Sequence, residues 1–243
     1  MAAGKGTRMK VPDRPKVMFE LNGKPMIHYV VDLAYDLDAG RVLTIVGFQG
    51  ETVTAYIKQS HPDVETVVQA ELRGTGHAIL RTEEALSDFS GDILVLSGDV
   101  PLLKRATIDS LIAHHRTTGA VATILTAVLD DPAGYGRIVR NQDGSVQKIV
   151  EHRDATAEEL SIREINSGIY VFEKKRLFDG LNHINPHNVQ NEYYLTDVFE
   201  YFWRHRWVVS ALKAPHHDEI RGVNTMEQLE EAKAVATGTA VRP

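Results

Sequence analysis

Apolar positions along the chain follow two alternating periods. Met26, Ile27, Tyr29, Val30, Leu33, Ala34 and Leu37 recur at the spacing of one helix face, which predicts a helix over Pro25–Asp38 ending near Gly40. Arg41–Val46 then reads as a short buried strand, Glu51–Gln59 as a helix with Val53, Tyr56 and Ile57 on one face, and Val64–Gln69 as a strand. The pattern continues with a helix over Thr75–Leu86, a strand over Asp92–Ser97, a helix over Thr107–Thr118 and a strand over Ala120–Leu129. "DILVLS" is apolar without alternation, as in strands buried on both faces of a parallel sheet. Strands and helices trading places at short intervals predict a Rossmann-like, doubly wound, mostly parallel sheet flanked by helices.

The character changes after Asp131. Ile138–Arg140 and Val146–Glu151 flank "NQDG", a hairpin signal. Glu164–Phe172 follows as a strand, Glu173–Leu181 and the aromatic-rich Tyr194–His205 as helices, and Trp207–Lys213 as a strand. A helix over Thr225–Ala236, capped by Asn224 or Thr225, closes the series before the tail Thr237–Pro243, where mobility is expected. One domain is therefore expected, with one half at 1–130 and a smaller β-rich half at 131–243.

Composition narrows the chemistry. The 243 residues are 43% hydrophobic and 25% charged, with a net charge of −6, so no global field favours nucleic acid or a membrane surface. An anion must be held by local groups. The absence of cysteine excludes disulfides, thiolate metal sites and a cysteine nucleophile. No apolar run approaches the roughly 20 residues of a membrane span, and the polar N-terminus is no signal peptide, so a cytoplasmic location is expected.

The opening stretch "MAAGKGTRMKVPDRPK" is the strongest local signal. Gly4 and Gly6 let backbone amides cup an anion, and Lys5, Arg8 and Lys16 add charge. The spacing fits neither common glycine-rich phosphate motif, and a solvated basic turn reads from the same residues. Asp99, after the apolar strand, is either a metal ligand or the start of a turn before Pro101. Asn224 caps a helix or supplies an oxygen ligand. Gln69, Gly74 and Thr75 read as a strand end and a helix start, or as a base-binding set. Tyr193 and Tyr194 form core or an apolar wall. His114–His115 and His216–His217 lack metal-ligand spacing, and Glu158–Glu159 and Glu230–Glu231 read as solvated helix faces.

Taken together, "AAGKGTRM…PK", "LNGKPMIHYVVD", "QAELRGTGHA", "LSGDVPLL", "GYGRIVR", "IVEHRDA", "EINSGIY", "NEYYLTD" and "RGVNT" resemble the ordered motifs of the sugar-1-phosphate nucleotidyltransferases. Within that family the likeness is to uridylyltransferase domains that make UDP-N-acetylglucosamine. The resemblance implies the nucleotide-diphospho-sugar transferase fold, with UTP and N-acetylglucosamine 1-phosphate as substrates and Mg²⁺ as cofactor. It implies that Arg8 and Lys16 act on the phosphates. Ala2, Ala3, Gly4, Gln69, Gly74 and Thr75 would bind the nucleotide, and Gly136, Glu151, Asn166 and Thr196 the sugar. Asp99 and Asn224 would hold the metal. A nucleotidyltransferase for another base or sugar, or a non-catalytic nucleotide-sugar-binding subunit, is the alternative. The family pattern also places a hydrophobic strand ahead of Ala2 and, in bifunctional members, a β-helix acetyltransferase domain behind. The sequence shows neither, so a sheet lacking its first strand is expected, and acetyl transfer is not.

Overall fold

A computed structural model describes residues 1–9, 11 and 13–238. In chain order its elements are β1 (Glu20–Leu21), β2 (Lys24–Pro25), α1 (Met26–Asp36), β3 (Leu43–Val46), α2 (Gly50–Ser60), β4 (Glu65–Val68), α3 (Thr75–Leu80), β5 (Asp92–Val95) and α4 (Arg105–Thr118). They continue with β6 (Ala122–Val128), β7 (Arg137–Arg140), β8 (Val146–Val150), α5 (Ala157–Leu160), β9 (Glu164–Glu173), α6 (Lys174–Leu181), α7 (Asp197–Arg204), β10 (Val209–Lys213) and α8 (Met226–Ala236). The expected tail falls at 239–243 outside the described residues. No helix among the described residues is long and apolar enough to cross a membrane.

The chain forms two compact units. The first comprises Met1–Leu72, Ser97–Arg105 and the chain from Asp218 onward. Its parallel pair β3–β4 runs in register from Leu43 opposite Glu65 to Val46 opposite Val68. Ala2 adds one parallel bridge to Val46. The apolar stripe of α1 supplies Ile27 and Val31, which pack with Ala2, Val17, Val46, Val53, Ile57 and Val64. A second cluster joins Met9, Phe19, Leu21 and Met26 to Val223, Leu229 and Ala232. The hairpin β1–β2 turns at Asn22 and Gly23, both at positive φ. The pair "NG" is itself a hairpin signal.

The second unit comprises Arg73–Leu96 and Ala106–His217. Its six-stranded sheet runs β10-β6-β9-β7-β8, with β5 also on β9. The α/β class holds, but the sheet is mixed where a mostly parallel one was expected. The ten-residue β9 runs antiparallel to β5, β6 and β7, while β10 and β6 pair in parallel. The run in β5 is buried only at Val95, its other residues being half-buried, and the apolar letters carry no information on strand direction. Tyr170, Phe172, Phe199 and Phe202 form a tilted and edge-on ring cluster in its core.

Two helices are shorter than their periodicity. Helix α3 ends at Leu80, because Thr82 turns its hydroxyl onto the Ile79 carbonyl (2.7 Å) and the next bonds are tighter turns. Helix α7 begins only at Asp197, because the Leu195 amide donates to Thr75 Oγ1 (3.0 Å). Glu159 belongs to a capping box with Thr156 and pairs with Lys148 at 2.8 Å, so it is not the solvated face expected of it.

Candidate functional site

In the first unit the start of the opening loop is pinned on two sides. The Ala2 amide donates to the Ile45 carbonyl (2.8 Å), Phe48 donates to the Ala3 carbonyl (3.1 Å), and Gly98 donates to the Met1 carbonyl (2.9 Å). Ala2 and Ala3 are buried, whereas Gly4 and Lys5 are exposed. Gly6 then turns the chain at φ +61°, where a Cβ would lie 2.5 Å from Lys16 Cβ. Glycine is what lets the loop lie against that lysine. The next turn, Thr7–Met9, buries Met9 and leaves Arg8 exposed. The turn Lys16–Met18 likewise buries Val17 in the core and aims Lys16 outward.

Four side chains meet there. The Lys16 ammonium is paired with the Asp99 carboxylate and donates to Asn224 Oδ1 at 2.9 Å. Arg8 Nη2 donates to that same oxygen at 2.7 Å. The Lys16 and Asp99 side chains are only 17% and 18% exposed. Backbone fixes the arrangement, since the Val223 amide donates to the Asp99 carbonyl (2.9 Å) and sets Asn224 beside Asp99. The cap of α8 goes to Thr225, whose side chain accepts from the Gln228 amide. Helix capping is therefore not what Asn224 does with its side chain. Its Nδ2 donates to the Gly222 carbonyl (3.2 Å), leaving Oδ1 to the cations.

A carboxylate and an amide oxygen converging on one cation is the hard-oxygen donor set that suits Mg²⁺, so the residues fit that ion. Gln69 also lies in this unit, 3% exposed, its amide donating to the Val46 carbonyl (2.7 Å).

The remaining expected residues lie in the second unit. Gly74 caps α3 at φ +103°, and a Cβ there would meet the Tyr193 carbonyl at 2.5 Å. Thr75 spends its oxygen as acceptor for Leu195, as above. Thr196 Oγ1 donates to Glu151 Oε1 at 3.0 Å. Burial pushes the Glu151 carboxyl above its ordinary value; the Thr196 hydroxyl opposes the shift and Asp154 adds to it. Asn166 donates its backbone amide to the Gly136 carbonyl (2.9 Å) and its Nδ2 to the Tyr170 hydroxyl (2.7 Å). Asn166 thus joins Gly136 on one side, while Thr196 joins Glu151 on the other.

Sequence reasoning missed two acids. Burial, then the charges of Glu151, Glu200 and Asp154, push Asp197 up to about 7. Asp154 accepts from the Val189 amide through Oδ1 (2.8 Å), and its buried Oδ2 has no hydrogen-bond partner. "HRDA" sets Asp154 one turn from Glu151, its amide on the Glu151 carbonyl (3.0 Å), whereas only the fold carries the Asp197 of "YLTD" to them. Of the tyrosines, Tyr194 is buried, and Tyr193 lies under the Arg73 guanidinium, 5.1 Å from the ring centre. The histidine pair at 114–115 is taken up structurally: His114 meets Ser210 Oγ (2.6 Å) and His115 meets Thr123 Oγ1 (2.8 Å).

Residues 1–217 match the family model described as "Nucleotidyl transferase". The chain is 46% identical over 235 residues to the bifunctional protein GlmU of Geobacillus sp. (strain WCH70), and 44% identical to that of Geobacillus thermodenitrificans (strain NG80-2). Each alignment takes in 97% of this chain and 50% of the relative, so the chain spans about half the length of the curated relatives it matches. Among solved structures, a UDP-glucose pyrophosphorylase complexed with UDP-glucose superposes with TM-score 0.76 at 19% identity, covering 98% of this chain and 97% of that one. HddC from Yersinia pseudotuberculosis superposes with TM-score 0.70 at 21% identity, covering 97% and 96%. These likenesses establish the nucleotide-diphospho-sugar transferase fold.

Proposed function

Because the chain belongs to the nucleotidyl transferase family, we propose that it transfers a uridylyl group from UTP to N-acetylglucosamine 1-phosphate. A phosphate oxygen of the sugar phosphate attacks the α-phosphorus in line, the bond to the β-phosphate breaks, and pyrophosphate leaves. No covalent enzyme intermediate is needed, so the protein's work is positioning and charge neutralisation. The observation that carries the reading is the meeting of Arg8, Lys16, Asp99 and Asn224, with Lys16 separated from its two partners by 83 and 208 residues of sequence.

Arg8 is exposed and takes the leaving β- and γ-phosphates. Lys16 neutralises the α-phosphate and the incoming sugar phosphate. Asp99 and Asn224 would hold Mg²⁺, which supplies charge neutralisation to phosphate oxygens when bound. Gln69, Gly74 and Thr75 address uracil, and the backbone of Ala2, Ala3 and Gly4 lies against the nucleotide. The Ala2 amide and the Ala3 carbonyl are already engaged with the β3 segment, so the other backbone groups of that loop do the binding. Glu151, Asn166, Gly136 and Thr196 address the acetamido sugar, for which a few fixed hydrogen-bonding groups suffice.

The similarity to GlmU and the uridylyltransferase motifs quoted above support the choice of substrates. The test is pyrophosphate release from UTP, N-acetylglucosamine 1-phosphate and Mg²⁺. Release is expected only with all three present, and it should fall sharply when dTTP or glucose 1-phosphate is substituted. Folded protein that releases no pyrophosphate from any pair refutes the proposal.

A further inference from the structure

The first unit holds a second cluster of metal-type donors that the transferase reading does not use. His28 and Asp32 are one turn apart on α1, and His61 follows the last residue of α2. One ligand atom from each lies within 4.8 Å of the others, and no other such group occurs among the described residues. The Nε2 atoms of both imidazoles face the same carboxylate: His28 at 3.2 Å from Asp32 Oδ2 and His61 at 2.8 Å from Oδ1. Neighbouring ligands in a tetrahedral zinc site, with bonds of about 2.0–2.1 Å, stand about 3.3 Å apart.

The outer hydrogen bonds are those that fix metal-binding imidazoles. His28 Nδ1 is 3.0 Å from the Tyr56 hydroxyl, and His61 Nδ1 is 2.9 Å from Ser60 Oγ. Ser60 Oγ can pass its own proton to the Tyr56 carbonyl at 3.0 Å. Both rings can therefore donate through Nδ1 and present an Nε2 lone pair. The two histidine side chains are 13% and 11% exposed.

Lys24 Nζ sits 2.8 Å from His28 Nε2 and 4.0 Å from Asp32 Oδ2. A positively charged group therefore already stands between an imidazole nitrogen and the carboxylate, at the place a metal cation would take. Lys24 is 54% exposed and can withdraw into water.

We propose that His28, Asp32 and His61 form a binding site for a borderline divalent cation of the Zn²⁺ class, clamping α1 to the end of α2. Two nitrogens and one carboxylate oxygen, with a fourth position open to water, suit that class better than Mg²⁺ or Ca²⁺.

The probe is Co²⁺, which reports its coordination by visible absorption, titrated into the full chain in millimolar Mg²⁺ so that oxygen-only sites are already filled. One Co²⁺ per chain is expected, displaced by one equivalent of Zn²⁺, with a melting temperature raised by Zn²⁺. His61→Ala and Asp32→Asn should each weaken binding by roughly 100-fold and abolish the Zn²⁺-dependent rise. His183→Ala, at the separate His183–Asp179 pair, should change neither. Circular dichroism without metal shows whether each variant is folded. Saturable binding that survives in folded His61→Ala and Asp32→Asn, or none in the folded parent chain, overturns the proposal.

Discussion

The sharpest test of the phosphate cluster is Asp99→Asn. The substitution keeps size and shape and removes one negative charge. In the folded chain that charge meets Lys16 with both side chains less than a fifth exposed. A hydrogen bond to a charged group contributes about 1.5–3 kcal/mol. The new amide keeps an oxygen for Lys16, and Asn224 Oδ1 remains at 2.9 Å, so about half that stabilisation should survive. The expected loss is about 1–2 kcal/mol, a fall in melting temperature of about 2–8 °C for a chain of this size. Against a total stability of about 5–15 kcal/mol the protein stays folded.

Turnover should suffer far more. Removing one preorganised electrostatic group typically costs about 10²–10³ in kcat. Steady-state pyrophosphate release beside a thermal melt of the same sample separates the two effects. Wild-type kcat in a folded Asp99→Asn protein refutes the assignment of Asp99 to the reaction. A loss of activity that merely tracks loss of folded protein refutes it as well.

Further outcomes follow from the same geometry. Gly6→Ala places a methyl carbon against Lys16 Cβ and costs about 1–2 kcal/mol in the left-handed region; pyrophosphate release should fall by more than roughly tenfold, and unchanged kinetics would show that the loop does not position Lys16. Glu151→Gln should raise KM for the sugar phosphate by roughly 10–100-fold, the value of one charged hydrogen bond, with kcat far less affected; an unchanged KM removes Glu151 from the sugar site. Asp197 is pushed up to about 7, so its contribution to stability is fully present below the unfolded value near 4 and is lost as pH rises towards about 7. Asp197→Asn should therefore stabilise the chain at pH 8 by about 1–2 kcal/mol, discounted for its partial exposure, and have little effect at pH 4; equal effects at both would refute the shift. Calorimetry should find Mg²⁺ binding weak without nucleotide and at least roughly tenfold tighter with UTP, because Lys16 otherwise holds both oxygen ligands; equal affinities would mean that the pair does not compete.

Much of this was legible in the sequence, for reasons that differ by residue. Helices α1 and α2 announced themselves through periodicity, since a face of Ile27, Val31, Val53 and Ile57 must be buried. The direction of β9 was not legible, because pairing partners are set by topology. The capping role of Thr225 and the freedom of Asn224 could not be separated from the letters "NT" alone. Both residues can cap, and the choice is made by Val223 donating to Asp99, a contact across the chain. Asp197 is not legible for a similar reason. Its shift is caused first by burial and then by Glu151, Glu200 and Asp154, which only the folded second unit assembles. The spacing of His28 and Asp32 could be read on one helix, but His61 arrives from 29 residues beyond its Asp32 partner.

The two lysines of the first unit show how similar contacts lead to different chemistry. Lys16 and Lys24 each place an ammonium on groups that could serve as metal ligands. Lys16 follows Pro15 and precedes the buried Val17, and its side chain is 17% exposed. Mostly buried, it loses little by staying on Asp99 and Asn224, and on the proposed reading a triphosphate is the partner that would draw it away and free the two oxygen ligands. Lys24 is 54% exposed at the end of a two-stranded hairpin and touches one imidazole nitrogen and, at 4.0 Å, the Asp32 carboxylate. Water is partner enough for it, so its site can open without any substrate. On the proposed readings the first arrangement would tie cation binding to nucleotide binding, and the second would leave it independent. Co²⁺ binding at His28, Asp32 and His61 should accordingly be indifferent to UTP, whereas Mg²⁺ binding at Asp99 and Asn224 should depend on it.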